Sequence, residues 1–247
     1  VCIAAGKLTV LGGSSANICP EYYPRAHALH IGEIGDATQQ MLAFLRDCVD
    51  SNTKPTKQRQ FATKDKMALD DQPLPAIHLV DVNCYLLVPI QFSVGCPFTC
   101  EFCDIPMIYG RVARLKSSAR ILQELQALYD RGFIGSVMFV DDNLIANRKA
   151  LRPLLQDIIA WQKERHFPFA FSAEASMNLS RDTETLELLR EARFTHMLVG
   201  IESPDPQVLV QISKKQNTMD PIRDSLRKLT DHGIEIIAAI IFGFDAD

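Results

Sequence analysis

The second half of the chain alternates between short apolar runs and longer segments with helical spacing. Apolar runs of strand length occur at residues 86–92, 137–140, 169–171, 196–199 and 234–242. Between them, apolar residues recur every three or four positions, as at Leu151, Leu154 and Ile158, which is the spacing of an amphipathic helix. Strands that alternate with helices usually form a parallel sheet. Residues 85–247 are therefore predicted to form an α/β domain with five visible strand–helix units.

The first 50 residues carry a shorter version of the same pattern. Strands are predicted near residues 8–11 and 28–32, and a helix from Asp36 to about residue 49. Gly12, Gly13 and Ser14 follow the first strand, where two glycines let the backbone turn tightly and let a ligand approach it. This order predicts the C-terminal part of a doubly wound, Rossmann-like domain. Residues 51–84 are polar at first and then rich in proline, and are predicted to be a linker.

Composition narrows the class of protein. The 247 residues have a net charge of −4, which gives no electrostatic footprint for nucleic acid. The seven cysteines are an odd number in a chain without a signal peptide, which favours a reducing cytoplasm over a disulfide framework. The sequence has no apolar run of membrane-spanning length. Both ends interrupt a strand–helix pattern, so we expect a fragment of a longer protein.

Three cysteines stand close together directly after the strand at residues 86–92. Cys96, Cys100 and Cys103 have the spacing C-x3-C-x2-C, and closely spaced thiolates hold iron–sulfur clusters. A closed zinc site needs four ligands, and neither Cys84 nor His78 is placed to supply the fourth. A cubane held by three thiolates keeps one iron open. We favour an iron–sulfur site, with zinc binding and a chance group of buried thiols as the alternatives.

Polar residues follow the other predicted strands at the point where each strand ends. In chain order they are Asp141, Asp142, Asn143, Glu174, Glu202 and Asp245. Each one alone is also compatible with a helix cap or a solvated loop. Because the carboxyl ends of parallel strands carry the active site in α/β folds, the set together predicts a site at that end of the sheet.

The cysteine motif, with the aromatic Phe102 before its last cysteine, resembles that of the radical S-adenosylmethionine (SAM) enzymes. The resemblance implies a partial, TIM-like (β/α)6 barrel, of which five units are visible here. It implies that Cys96, Cys100 and Cys103 hold a [4Fe-4S] cluster whose open iron binds SAM. An electron from the cluster then cleaves SAM and releases a 5′-deoxyadenosyl radical.

The same resemblance assigns roles to the residues at the other strand ends. The amino group of SAM would meet the segment Asp141–Asn143, and Glu174 would meet the ribose or the methionine part. Gly200 and Glu202 resemble a segment that lines the adenine, and Gly243 lies in a second adenine-side segment. The family's glycine-rich second motif is FVDDN here.

The first 50 residues are similar to the C-terminal half of the cobalamin-binding domain found in many radical SAM enzymes. In that domain the turn at Gly12, Gly13 and Ser14 would lie against the nucleotide tail of the cofactor. The family's Asp-x-His-x-x-Gly motif is not in this chain, so no cobalt-ligating histidine is assigned. The implied organisation is a partial cobalamin-binding domain at 1–50, a linker at 51–84 and a radical SAM domain at 85–247.

Together these segments resemble the hopanoid and bacteriochlorophyll methylase branch. The resemblance implies methyl transfer to an unactivated carbon of a small-molecule or lipid-like substrate, with an external flavodoxin- or ferredoxin-type electron donor. The alternatives are a cobalamin-dependent oxidative cyclase and a non-catalytic iron–sulfur or zinc module. A tRNA methylthiotransferase would need a second cysteine set and a basic RNA-binding domain, and this chain has neither.

A cluster of basic residues follows the cysteine motif. Arg111, Arg114 and Lys116 could pair with a carboxylate or a phosphate. We favour a solvated positive face ahead of the next helix.

Overall fold

The computed structural model describes residues 2–244. The chain divides between Pro73 and Leu74 into two compact units, and each has its own parallel sheet. Among the helices of the described part, none has both the length and the apolar character that crossing a bilayer requires.

The first unit is a three-stranded parallel sheet with helices in its connections. Its strands are β1 (Val10–Leu11), β2 (Ala28–Ile31) and β3 (Arg59–Ala62), paired in that order. Helix α1 (Ser14–Ile18) follows β1, and α2 (Asp36–Asp50) follows β2. The predicted strands and helix of residues 1–50 are thus present, with β1 shorter than expected.

Strand β3 lies inside the segment that the sequence predicts to be a linker. It pairs in parallel with β2, from Ala28 opposite Arg59 to Ile31 opposite Ala62. Only Phe61 of this strand is buried, and it packs with Ala28 and Ala37. The Arg59 guanidinium lies 4.8 Å from the ring centre of Phe44. The linker prediction was therefore wrong for residues 59–62, because one buried aromatic in a polar stretch leaves no alternating pattern.

The second unit contains a five-stranded parallel sheet. Its strands are β4 (Leu87–Ile90), β7 (Gly135–Phe139), β8 (Phe169–Ala175), β9 (Phe194–Glu202) and β10 (Glu235–Ile240). A short antiparallel pair, β5 (Ser93–Val94) and β6 (Arg114–Leu115), stands apart from this sheet. The helices are α3 (Ile105–Ile108), α4 (Ser118–Asp130), α5 (Arg148–Glu164), α6 (Thr183–Glu191), α7 (Pro206–Gln211) and α8 (Ile222–Asp231).

The order of strands in the large sheet is β4-β7-β8-β9-β10, the same as their order along the chain. A doubly wound sheet would instead reverse direction at a switch point, whereas consecutive neighbours are the arrangement of a βα barrel. The five predicted units are confirmed. The described residues form an open, partial barrel, in agreement with the predicted fold class. The sequence did not predict the β5–β6 pair, α3 or α7, all of which are short.

The two faces of the large sheet differ in character. Along β8, Phe169, Phe171 and Ala173 are buried, while Ser172 and Glu174 on the opposite face are only partly buried. The buried face packs against the apolar stripes of the helices in one continuous core. The other face is the concave side of the barrel, and it therefore presents the side chains available for binding.

Gln162 links helix α5 to the start of β8 and to the end of α6. Its side chain is fully buried. It donates to the carbonyl oxygens of Phe169 at 2.8 Å and Ala192 at 3.3 Å, and it accepts from the Phe169 amide at 3.2 Å. We expect Gln162→Leu to lower the free energy of unfolding by about 2–4 kcal/mol, because buried backbone groups lose their partners.

Urea denaturation followed by circular dichroism would measure this change. The matched control is Gln156→Leu on the exposed face of the same helix, which we expect to change stability by less than about 0.5 kcal/mol. Equal effects of the two substitutions would contradict the assigned role.

Candidate functional site

The three cysteines lie in a loop that the β5–β6 pair closes. Ser93 pairs with Leu115 and Val94 with Arg114. Gly95, the first residue of the loop, has φ of 100°, a left-handed conformation that favours glycine. A Cβ there would lie 2.9 Å from the carbonyl oxygen of Gly110, and the Cys96 amide donates to that oxygen. The two ends of the loop are thus held together at its base.

Two carboxylates after β7 hold the strand that leads into this loop. Asp141 accepts from the amides of Phe92 at 3.1 Å and Ser93 at 2.5 Å, and from the Ser93 hydroxyl. Asp142 accepts from the Gly95 amide at 2.7 Å. The acidic pair therefore fixes the backbone immediately before Cys96.

Asp141 differs from its predicted role as a cofactor contact. Its side chain is 1% exposed and is not part of the cavity described below. Burial raises the pKa of Asp141 to about 6, although the hydrogen bonds from Ser93 and Phe92 favour the charged form. Successive residues at a strand end point to opposite sides, so Asp141 faces the β4–β5 backbone and Asp142 faces the cavity.

A cavity of about 270 Å³ lies at the carboxyl ends of β7, β8 and β9. Most of the predicted site residues line it, namely Cys96, Cys100, Phe102, Cys103, Asp142, Asn143, Glu174, Gly200 and Glu202. Additional lining residues that the sequence did not indicate include Phe98, Ser176, Lys214 and Gln216. The structure thus brings these predicted residues together at one end of the sheet.

All three thiols of the loop are partly buried and none is in a disulfide. Burial raises the pKa of both Cys96 and Cys103, and a hydrogen bond from the Asn143 side chain opposes this at Cys96. Neighbouring thiols add to the rise through charge repulsion. Within residues 2–244, no three potential ligand side chains already stand at the spacing of a metal site. The thiols share one cavity without converging on a point.

Glu202 and Lys214 form a buried ion pair on the far side of the cavity. The Lys214 ammonium contacts a carboxylate oxygen of Glu202, and each side chain is less than a tenth exposed. Glu202 has φ of 67°, which is uncommon for a residue with a side chain. A Cβ at Gly200 would overlap the ends of both charged side chains, so a larger residue there would displace the ion pair. The Lys214 ammonium also lies 5.6 Å from the ring centre of Phe102.

The segment from Ile212 to Asn217 contacts the cysteine loop from the side opposite Asp142. The Glu101 amide donates to the Ile212 carbonyl at 3.0 Å, and the Gln216 amide donates to Cys100 Sγ at 3.5 Å. Asn217 donates to the carbonyl oxygens of Gly200 and Ile201. Sequence analysis missed this segment because ISKKQN has no periodicity and carries no recognisable motif.

Glu174 stands on β8 near the centre of the cavity wall. Burial raises its pKa, and the negative charge of Asp142 raises it further. Two carboxyl groups in one cavity repel each other, and a cationic group placed near them would relieve that repulsion. This part of the cavity therefore favours a positively charged ligand group.

Several other predicted residues lie elsewhere. Gly243 is not among the residues that line the cavity, and Asp245 lies outside the described residues. In the first unit, Gly12, Gly13 and Ser14 form the exposed turn from β1 to α1. Gly13 has φ of 105°, which fits the predicted tight turn.

The basic residues after the motif are only partly a solvated face. Arg111 is exposed, whereas the Lys116 ammonium lies 2.6 Å from the carboxylate of Glu124, whose side chain is 2% exposed. Lys116 therefore stabilises the start of α4, and the prediction of a solvated face was wrong for this residue.

Comparison with known proteins identifies one matching family model. The model of the radical SAM superfamily matches residues 90–246, which include the cysteine loop and the carboxyl ends of all five strands of the large sheet. The match covers more than half of the chain.

Two curated relatives are methylating enzymes by their names. The hopanoid C-2 methylase of Rhodopseudomonas palustris is 46% identical over 237 residues, which are 96% of this chain and 44% of that protein. The bacteriochlorophyllide d C-12(1)-methyltransferase of Chlorobaculum tepidum is 31% identical over 163 residues, which are 65% of this chain and 34% of that protein. The chain spans less than half of the length of both relatives.

A solved structure with a similar fold is the cobalamin-dependent SAM radical enzyme OxsB with aqua-cobalamin bound. The match has a TM-score of 0.69 and 18% identity, and it covers 97% of this chain and 37% of that protein. At this level of identity the similarity establishes the fold.

The buried position of Asp141 predicts that its contribution to the stability of the folded protein depends on pH. Its pKa is raised to about 6 in the folded protein from 3.8, so the folded state binds the proton more tightly than the unfolded state. Proton binding to Asp141 therefore stabilises the folded state. This stabilisation is fully present below pH 3.8 and is lost as pH rises through about 6. We expect the stability advantage of the parent over Asp141→Asn to be largest near pH 4 and to decrease as pH rises towards 7.

Chemical denaturation at a series of pH values would measure this difference. The control is Asp157→Asn on the exposed face of α5, which we expect to change stability by less than about 0.5 kcal/mol. An advantage that increases with pH between 4 and 7 would show that Asp141 titrates with a lowered pKa.

Proposed function

We infer the function from one premise, which is that this chain belongs to the radical SAM superfamily. We propose that it is the catalytic part of a cobalamin-dependent radical SAM methyltransferase. The observation that carries the proposal is the meeting of three free thiols, three acidic side chains and one lysine in a single cavity at the carboxyl end of the barrel.

Cys96, Cys100 and Cys103 are the residues that would hold a [4Fe-4S] cluster. Their fit to that group rests on the donor set, since all three are free thiols on one cavity wall, and thiolates are the usual ligands of such clusters. Burial and, to a smaller extent, repulsion between the thiols raise the pKa of Cys96 and Cys103, and bound iron would favour the deprotonated thiolates. When bound, the cluster supplies the electron that cleaves SAM and yields a 5′-deoxyadenosyl radical.

The chain's other cavity residues would bind and orient SAM. Asp142 and Glu174 are acceptors for the amino group and the ribose hydroxyls, and SAM's positive charge would relieve their repulsion. The positive charge of Lys214 acts on Cys103, and its ammonium lies 5.6 Å from the ring centre of Phe102. Leu198 on β9 and Ala239 on β10 supply apolar surface for a ring.

Methyl transfer and cobalamin binding are proposed from the relatives and from the first unit. The hopanoid C-2 methylase is the more similar of the two relatives, which favours an apolar, hopanoid-like lipid as the acceptor. The exposed turn at Gly12, Gly13 and Ser14 lies at the carboxyl end of β1, where parallel sheets bind nucleotide-like groups. Residues 1–50, extended by β3, would then form part of a cobalamin-binding domain. Cobalamin would supply the methyl group.

We further propose that the protein works in the cytoplasm with an external electron donor of the flavodoxin or ferredoxin type and without nucleic acid. The low net charge of −4 is consistent with a small-molecule substrate.

Anaerobic reconstitution tests the metal site. We expect the parent chain to bind about four iron and four sulfide ions and to show the broad visible absorption of a [4Fe-4S] cluster. Cys100→Ser should lose most of this iron, because a serine hydroxyl is a poor ligand for the cluster. The matched control is Cys84→Ser, an exposed cysteine outside the cavity, which should load fully.

Metal analysis would decide between cluster and zinc. Zinc at about one ion per chain, with no visible absorption from iron and sulfide, would contradict the proposal.

Methyl transfer is tested with SAM labelled in its methyl group. With cobalamin, a strong reductant and a hopanoid acceptor, we expect both 5′-deoxyadenosine and labelled hopanoid from the reconstituted chain. Cys100→Ser should form neither above the background without protein. Deoxyadenosine without labelled product would favour the oxidative cyclase alternative over methylation.

A further inference from the structure

Each thiol of the cysteine loop has a different polar neighbour on the cavity wall. Asn143 forms a hydrogen bond with Cys96, and the charge of Lys214 acts on Cys103. Cys100 instead accepts a hydrogen bond from Gln216 Nε2 at 3.5 Å. Gln216 is 8% exposed, so this donor is shielded from water.

The Gln216 side chain is held in place by bonds on both sides of it. Residues Lys215–Asn217 form a 3-10 turn, and Asn217 donates to the Gly200 carbonyl at 2.8 Å. Four residues before Gln216, the Ile212 carbonyl accepts from the Glu101 amide, next to Cys100. The donor and the sulfur are therefore fixed relative to each other by the backbone.

We propose that Gln216 raises the reduction potential of the cluster through its hydrogen bond to the Cys100 sulfur. This inference rests on the proposed function, because it requires a cluster on the three thiols. Reduction adds negative charge to the cluster and its sulfur ligands. A donor to one of those sulfurs therefore stabilises the reduced form more than the oxidised form. Gln216 would thus be a positioning residue that acts through Cys100.

Two substitutions at this position have opposite expected effects. Gln216→Met keeps the length of the side chain and removes the donor, so the midpoint potential should fall. The hydrogen bond is present in both oxidation states, so only its strengthening on reduction counts. The ratio of reduced to oxidised cluster at a fixed potential should fall by at most about tenfold, which is ~59 mV for one electron. Gln216→Lys keeps a donor and adds a positive charge, so the potential should equal or exceed that of the parent.

The measurement is a redox titration of the anaerobically reconstituted full chain, followed by electron paramagnetic resonance of the reduced cluster. The matched control is Gln211→Met on the exposed side of α7, which should leave the potential unchanged. A merely structural role for Gln216 would shift the Met and Lys variants in the same direction.

The outcomes separate this inference from the proposed function. If the parent carries the cluster but neither Gln216 variant changes the potential, the inference is overturned and the proposed function stands. If Gln216→Met fails to load, a lowered potential in Gln216→Lys still overturns the inference. If the parent binds zinc and no cluster, both proposals fail.

Discussion

The carboxyl end of β7 fixes the backbone that leads into the cysteine loop. Asp141 accepts hydrogen bonds from the amides of Phe92 and Ser93, and Asp142 accepts one from the amide of Gly95. Without these acceptors, three backbone donors at the edge of the barrel would lack partners, at a cost of about 1–3 kcal/mol for each buried one. The position of Cys96 relative to the barrel therefore depends on this contact.

The loop is held a second time from the opposite side, by the segment after α7. Here the bonds are a backbone contact from Glu101 to Ile212 and a side-chain contact from Gln216 to Cys100. A buried ion pair is weak evidence for stability, because desolvation offsets most of its attraction. The Glu202–Lys214 pair, with Glu202 at φ of 67°, also carries backbone strain of about 1–3 kcal/mol. Strain and buried charge beside the thiols are therefore better explained by binding than by stability.

The barrel could be predicted from the sequence because apolar residues recur with different periods in its strands and in its helices. Each strand of the large sheet contains a short apolar run, since parallel strands in such folds are covered on the helix side, and each long helix has a clear apolar stripe. Strand β3 has neither feature, and its place in the sheet comes from pairing with β2 and from one buried side chain, Phe61. Pairing between distant strands leaves no local signal when the strand itself is polar.

Site residues that directly follow a strand could be predicted from the sequence, and those elsewhere in the chain were harder to predict. Asp141 and Asp142 are identical in type and adjacent in sequence, and both accept from backbone amides, yet only Asp142 lines the cavity. Only the direction of β7 decides which is which.

The positions of Lys214 and Gln216 do not follow from a local rule of this kind, because the two residues reach the cavity through the turn that follows α7. That turn is placed by Asn217, which bonds to the backbone of β9. The strand that ends in Glu202 thus positions both partners of its own ion pair. The same strand positions Gln216, which donates to Cys100. The geometry of β9 therefore determines where both the ion pair and this donor lie in the cavity.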